Sequence, residues 1–502
     1  MKRRIVPLLI AALFLTSALA LCVSTSADGA SDGPSNPDHW TDKADYYDTS
    51  WYYGHETSDE FVIDSAKALA GLAVIVNGIA GTPFDFFGKT VTLHVNGGKL
   101  SISAHYWTPI GAYSDDGIVE NPFRGTFNGG GTGLSGLFIG SKGDDLKFQG
   151  LFGIIGPGAT IKDLGITDVN IFGESNIGGI VGWNDGGTVS GCHISGYITV
   201  SGEFNGGIAG INAGTISKCY FSGDIVNESE DSSATGGIVG WNDGTVSGCY
   251  NHGLSMGADE TGGIVGHNTG LISESYNRGF VTGIISVGGI AGANYDEHSK
   301  IEKCYNFDSI TLNGNMESND NALGGIVGLN RGEVIYCYNS GMIFTSDENV
   351  GGIAAKNEGG TVARSYNTGI LNGSLVFIIA PVGGFDVDTC YWLDHEDEGK
   401  GGRSIDQMVG GAARSNMPAL FDSNSPFITV GNITSGFVEA GYTPQLKVFA
   451  ESSNFTVSRD SMMSVEHIVR NDTIIGILFT TLILITVLGT LYFYFRQRRL
   501  SF

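Results

Sequence analysis

The amino-acid sequence predicts an all-β chain, a parallel β-helix (solenoid) with small helical caps and one C-terminal transmembrane helix. Three observations predict it. A di-glycine unit starts at Gly178, Gly206, Gly236, Gly262, Gly288, Gly324 and Gly351, in steps of 28, 30, 26, 26, 36 and 27 residues. Internal repeats of that period mark solenoids, propellers or arrays. Fixed positions in each unit hold fixed residue types. Glycine supplies 78 of 502 residues, without collagen's three-residue period, and each interior glycine costs a helix roughly 1 kcal/mol. An α-solenoid is thereby disfavoured, and a propeller blade needs about 40 residues or more.

Within the unit, the third residue is Ile180, Ile208, Ile238, Ile264, Ile290, Ile326 or Ile353. The seventh is Asn184, Asn212, Asn242, Asn268, Asn294, Asn330 or Asn357. Further on, an aliphatic residue precedes a small one by three: Cys192, Cys219, Cys249, Ser275, Cys304, Cys337 or Ser365. Tyr follows that small residue in six units, with His193 the exception, and Asn comes next in five. Three short strands per coil account for this pattern, each coil pairing with the next about 4.8 Å along the axis. Equal positions then stack as ladders. Ile and Cys point inward. The fifth-position Gly leaves room or takes an unusual backbone angle. The invariant Asn suits a turn near the left-handed region, and its amide can bond to the Asn above and below. The residues before that Asn vary (Trp183, Ile211, His267, Leu329) and are where a binding specificity would be written.

The elements follow in order. Residues 1–27 read as a secretory signal peptide: Lys2, Arg3 and Arg4 precede an apolar run, with Ala20 or Ala27 closing a cleavage site. Cys22 invites lipidation, but Leu21 is a poor residue before a lipidated Cys. Residues 28–50 are polar and turn-rich, an unstructured acidic lead. Residues 51–150 form an N-terminal cap and early irregular coils. Ser65 or Asp64 caps a helix over Ala66–Val76, closed by Asn77 and Gly78. Residues 151–392 carry the repeats. Residues 393–449 form a C-terminal cap with short helices near Ser404–Val409 and Ala412–Leu420, and 450–473 a stalk. Residues 474–495 carry no charge and are long enough to span a bilayer. Arg496, Arg498 and Arg499 in the tail, 496–502, place the C-terminus in the cytoplasm and the bulk of the chain outside.

The formal charge is −25. All 52 acidic residues lie between the basic terminal segments, so the exposed part is more acidic still and repels phosphate backbones. Nucleic acid is therefore not an expected partner. Surface Ca²⁺ is compatible with that charge beside the simpler reading of a solvated acidic surface, and no cofactor is indicated. The seven cysteines include no CxxC pair, and buried thiols acting as small apolar side chains fit best. Disulfides between adjacent coils are the rival: the rung spacing permits them, while parallel side-chain directions oppose them. His193 and His267 read as surface variants. Asp185, Asp243 and Asp296 do not fall in adjacent coils and build no obvious carboxylate cluster. Asn227, Asn372, Asn432, Asn454 and Asn471 match the N-glycosylation pattern.

The unit GGIVGxNxGxVxxCYNxG resembles the GLUG repeat of bacterial and archaeal surface proteins. The flanking FVIDSAKALAGLAVIVNG, WTPIG, FRGTFNG and CYWL segments agree, and the likeness covers roughly residues 51–449. It implies a right-handed β-helix in an extracellular, often adhesin-like, setting, and supplies no catalytic residue. The expected function is cell-surface adhesion or binding of a glycan, matrix or partner cell, or an envelope structure. The alternative is a membrane-tethered polysaccharide lyase or hydrolase, for which a groove lined by three or more acids with an Arg or Lys would be the mark.

Overall fold

The computed structural model describes residues 33–393 apart from 35, 114–118, 314–320, 346–348, 374, 378 and 381–388, and beyond them 402–403, 408, 410–421, 425–428 and 445–446. The expected signal segment 1–27, stalk 450–473, membrane span 474–495 and tail 496–502 lie outside the described residues. Among the described residues no helix is long and apolar enough to cross a membrane. The chain divides into two compact units at Trp392.

The first unit is a parallel β-solenoid of about eleven turns. One sheet of eleven strands runs from Glu60–Ile63 through Thr126–Asn128 and Thr188–Ser190 to Thr361–Ala363. Its neighbours pair parallel and in register, as Thr188, Val189 and Ser190 do with Thr215, Ile216 and Ser217. A second wall of eight strands runs from Phe152–Ile155 to Ala354–Asn357, and every strand after the first ends on the invariant Asn. A third has seven strands, from Asn205–Gly206 to Leu375–Phe377. The fourth wall stacks the Tyr-Asn strands, such as Tyr250–Asn251 on Tyr276–Asn277, beside segments such as Ser255–Met256. The expectation of three strands per coil is thus too few. The coil from Ser233 to Met256 contains five, because the di-glycine and the Tyr-Asn-x-Gly stretch each turn the chain.

Two glycine and turn expectations resolve physically. Gly182 does not take a positive φ; it leaves room. A Cβ there would lie 2.5 Å from the backbone of Phe148, and one on Gly210 would lie 2.4 Å from Asn176. The invariant Asn is not left-handed either: no residue of that ladder has a positive φ. The left-handed column sits one residue before the Cys/Ser ladder, at Gly191, Lys218, Gly248, Glu274, Lys303, Tyr336 and Arg364, with φ between 47° and 61°. The chain reverses there to turn the next side chain inward, at a cost of roughly 1–2 kcal/mol for each non-glycine residue.

The N-terminal end is ordered earlier than its composition suggests. Trp40, within the expected unstructured lead, is buried, and its Nε1 donates to the Ile102 carbonyl at 3.0 Å. An indole burying its ring with a satisfied N–H outweighs the polar residues around it. The helix spans Ala66–Val76, capped by Ser65, whose hydroxyl accepts from the Ala68 amide at 3.2 Å. Residues Ala68–Val76 are all buried, so the helix is covered all round rather than along one stripe. A continuous apolar cluster then runs from Trp40 to Cys390.

The second unit has a helix at Gly410–Asn416, a 3-10 turn at Pro418–Phe421 and an antiparallel pair, Phe427–Ile428 with Gln445–Leu446. Met408, Ala413, Met417, Leu420, Phe427 and Leu446 are buried in it.

Candidate functional site

The repeated residues build the interior. Ile180, Ile208, Ile238, Ile264, Ile290, Ile326 and Ile353 are all fully buried. Asn184 donates through Nδ2 to Asn212 Oδ1 at 2.7 Å, and the relay continues through Asn242, Asn268, Asn294, Asn330 and Asn357 at 2.7–2.9 Å. Cys192, Cys219, Cys249, Cys304, Cys337 and Cys390 are buried free thiols. Their Sγ atoms lie near carbonyls, as Cys249 does to Ser247 at 3.4 Å. Burial and the neighbouring thiols push the Cys219 pKa up.

A second set of ladders runs beside these. Asn251, Asn277, Asn306, Asn339 and Asn367 form another amide relay at 2.9–3.1 Å. Before each stands a tyrosine, and the rings stack. His193, Tyr220, Tyr250, Tyr276, Tyr305, Tyr338 and Tyr366 lie 4.7–5.0 Å apart with planes within 5°. That spacing is the rung of the sheet, so strand pairing sets it rather than ring attraction. The column sinks along the chain: Tyr220 to Tyr276 are half-buried, while Tyr305, Tyr338 and Tyr366 are buried. Burial pushes the Tyr276 phenol up to about 12 and raises those of Tyr305 and Tyr338 as well. The repeated Tyr-Asn dipeptide was a usable signal. His193 is a half-buried member of the stack, its pKa lowered by burial, not an isolated surface variant.

Chemistry facing solvent concentrates where the copies differ. The residue before the invariant Asn forms a column on the outer side of the wall: Trp183, Ile211, Trp241, His267, Ala293, Leu329 and Lys356 stand in register, half-buried except for the buried His267 and Ala293. Beside it runs a corner column held left-handed: Phe148, Asn176, Phe204, Ala234 and Glu260, with φ of 50–62°. Nothing in the sequence marked these corners, because their residue types differ. The two columns touch. Phe148 lies 6.1 Å from Trp183, and Phe204 meets Trp241 edge-on at 5.0 Å. His267 is buried at 6% exposure between Trp241 (4.4 Å) and Tyr295 (4.8 Å), with Nδ1 2.8 Å from the Glu260 carboxylate. The expectation of a surface variant fails because two rings and a carboxylate enclose it. Arg331 extends the face, stacking on Tyr295 at 4.4 Å and pairing with Glu358 at 2.9 Å.

Next to these columns a polar cleft of ≈ 410 Å³ opens at one corner of the coils. Lys147, Glu174, Asn176, Glu203, Phe204 and Asp231 line it together with serine hydroxyls. Lys147 pairs with Glu174 at 3.2 Å. Among the described residues no three His, Cys, Asp or Glu side chains gather closely enough to hold a metal ion. Asp185, Asp243 and Asp296 stay apart from the cleft: Asp243 accepts from Thr269 at 3.1 Å, and Asp296 caps the His298 amide at 2.8 Å.

Of the glycosylation-pattern residues, Asn227 is 3% exposed and donates to the Gly202 carbonyl at 2.7 Å, which leaves no space for a glycan on the folded chain. Asn372 is half-buried in a short strand. Asn432, Asn454 and Asn471 lie outside the described residues.

The fold thus defines a parallel β-solenoid repeat protein. No family model matches the chain, so the GLUG likeness rests on the repeat residues. Over 160 residues the sequence is 30% identical to Halomucin of Haloquadratum walsbyi (strain DSM 16790 / HBSQ001), a stretch covering 32% of this chain and 2% of that protein. The chain therefore matches only a small part of that relative's length. A crystal structure from Bacteroides ovatus, provisionally described as an immunoglobulin A1 protease, aligns over 54% of this chain and 84% of the other, at 19% identity and a TM-score of 0.39.

Proposed function

We propose that the chain is a GLUG-type, right-handed β-helix held outside the cell by a single C-terminal membrane span, and that it recognises glycans of another surface or of the surrounding matrix. The observation that carries the reading is the outward column. Trp183 and Trp241 stand two coils apart in one register, each against a phenylalanine, on a scaffold whose interior amide relays fix their positions. Half-buried aromatic side chains on a rigid wall suit the apolar faces of sugar rings, and rigidity lowers the ordering cost of binding. The test is a glycan array and polysaccharide pull-down with the intact chain. Trp183→Ala combined with Trp241→Ala should weaken retention about tenfold or more, aromatic anchors being the usual hot spots. No retention by any glycan, or retention that ignores both tryptophans, sinks the reading.

One observation favours a polysaccharide-cleaving enzyme instead. The cleft has three carboxylates, Glu174, Glu203 and Asp231, with Lys147 beside them, and glycoside cleavage uses paired carboxylates. Shortened products after incubation with a polysaccharide panel, lost in Glu203→Gln, would establish that reading over simple binding.

A further inference from the structure

The cleft has features that general surface polarity does not explain. Its volume of ≈ 410 Å³ falls in the range of small-ligand sites, about 300–1,000 Å³. Asn176 lines it at 8% exposure, and its Oδ1 has no hydrogen-bond partner. A buried acceptor without a donor costs about 1–3 kcal/mol; this oxygen is closed to solvent, so a ligand hydroxyl meets it once the Asn176 side chain turns toward the cleft. Glu174, Glu203 and Asp231 add further acceptors, with Glu203 and Asp231 exposed at the rim. Phe204 supplies an apolar wall, fixed against Trp241. The polar inventory is thus rich in acceptors, has one ammonium at Lys147, already paired to Glu174, and carries a net negative charge.

Those properties select a ligand class. A bare divalent cation wants six or more oxygens converging on one point, and these carboxylates do not converge. An anionic ligand meets excess negative charge, and like charges facing each other cost affinity and specificity. A pyranose offers several hydroxyl donors and one apolar face, matching the acceptors and Phe204. An amino group on the ring would further complement the carboxylates.

We propose that this cleft is a subsite for a neutral or amino-bearing pyranose, and that it discriminates against uronic and other acidic sugars. The inference rests on the glycan-recognition reading and specifies its substrate class.

The test titrates the intact chain by calorimetry with three probes: chitotriose (neutral), the chitosan trimer (amino-bearing) and trigalacturonate (acidic). The expected order is chitosan trimer, then chitotriose, with trigalacturonate about tenfold weaker or more. Glu203→Gln with Asp231→Asn, both on exposed side chains, should weaken the chitosan trimer about fivefold or more and narrow the gap to trigalacturonate. Asn176→Gly suits the local φ of 62° and should weaken chitotriose. Melting curves show that each variant is folded. Equal or preferred binding of trigalacturonate overturns the proposal, as does indifference of the two neutral and amino-bearing probes to the cleft variants. If the tryptophan pair still governs retention on the array while the cleft variants change nothing, the cleft reading alone fails. If no glycan binds, the wider reading fails with it.

Discussion

The amide relay can be tested at its centre. Asn242 is fully buried. Its Oδ1 accepts from Asn212 at 2.7 Å, and its Nδ2 donates to Asn268 at 2.8 Å and to the Gly244 carbonyl at 3.2 Å. Asn242→Ala removes both inter-coil bonds, each a net contribution of about 1 kcal/mol. It also takes the amide donor from Asn268 Oδ1, and an unsatisfied buried acceptor costs about 1–3 kcal/mol. The expected loss is therefore about 3–5 kcal/mol, felt mainly by adjacent coils because stability in a solenoid is a nearest-neighbour property. Guanidinium denaturation measures the total, and hydrogen exchange at the Thr245 and Leu271 amides locates it. Asn242→Asp sharpens the test. The carboxylate still accepts from Asn212 but faces Asn268 Oδ1 as a second acceptor, and burial raises its folded pKa. With the folded pKa above the unfolded one, stability is fully present below the unfolded pKa and is lost as pH rises through the folded pKa. The Asp variant should be less stable than the Ala variant at pH 7 and regain ground in acid. A loss below about 1 kcal/mol for Asn242→Ala, with unchanged exchange at both amides, refutes the idea that the relay ties the coils together.

Three further outcomes follow from the same interior. Ile264→Asp places a charge at a fully buried position without a counter-ion and should abolish cooperative thermal unfolding, the cost being several kcal/mol; an unchanged melt would refute the packing argument. Cys249→Ser should cost less than about 1.5 kcal/mol in denaturant melts, because Ser275 already holds the next rung, donating to Ser273 at 2.8 Å and accepting from the Cys249 amide at 3.1 Å; a larger loss would show that the thiol packs in a way a hydroxyl does not. Burial raises the pKa of Asp308 above 3.8, so its ionisation opposes folding as pH rises through the raised value. Asp308→Asn keeps an acceptor for the Ser309 amide, so it should raise stability at pH 7 and make no difference well below pH 3.8. Equal melting temperatures at pH 7 would count against that burial effect.

The coil stack was legible because its cause is repeated. The Ile at the third position and the Asn at the seventh recur in every unit, and a parallel stack turns recurrence in sequence into adjacency in space. The same logic exposes the gaps. The left-handed column before the Cys ladder includes Lys218, Glu274, Lys303, Tyr336 and Arg364, residues that carry no turn signature. Stacking imposes their φ, so local composition does not report it. Trp40 lay hidden in a polar segment for a related reason: its partner, the Ile102 carbonyl, is 62 residues away. The Tyr-Asn dipeptide was visible, but its consequence needed a strand register that only the fold supplies.

The candidate site follows the opposite rule from the scaffold. Residues that hold coils together must repeat, since each rung needs the same partner above and below. Residues that meet a ligand need not repeat, and the corner column does not: Phe148, Asn176, Phe204, Ala234 and Glu260 share a backbone angle and little else. The fifth-position glycines allow that variety. They let the corner backbone lie against the wall, so each corner side chain is carried at a fixed height whatever its chemistry. Gly210→Ala would put a Cβ 2.4 Å from Asn176's backbone and displace the floor of the cleft. Its effect on the proposed sugar binding should therefore exceed its effect on the distant Tyr stack, which the near-ultraviolet circular dichroism of the tyrosines would report. Equal disturbance of both would mean that the corner and the wall do not act as separable parts.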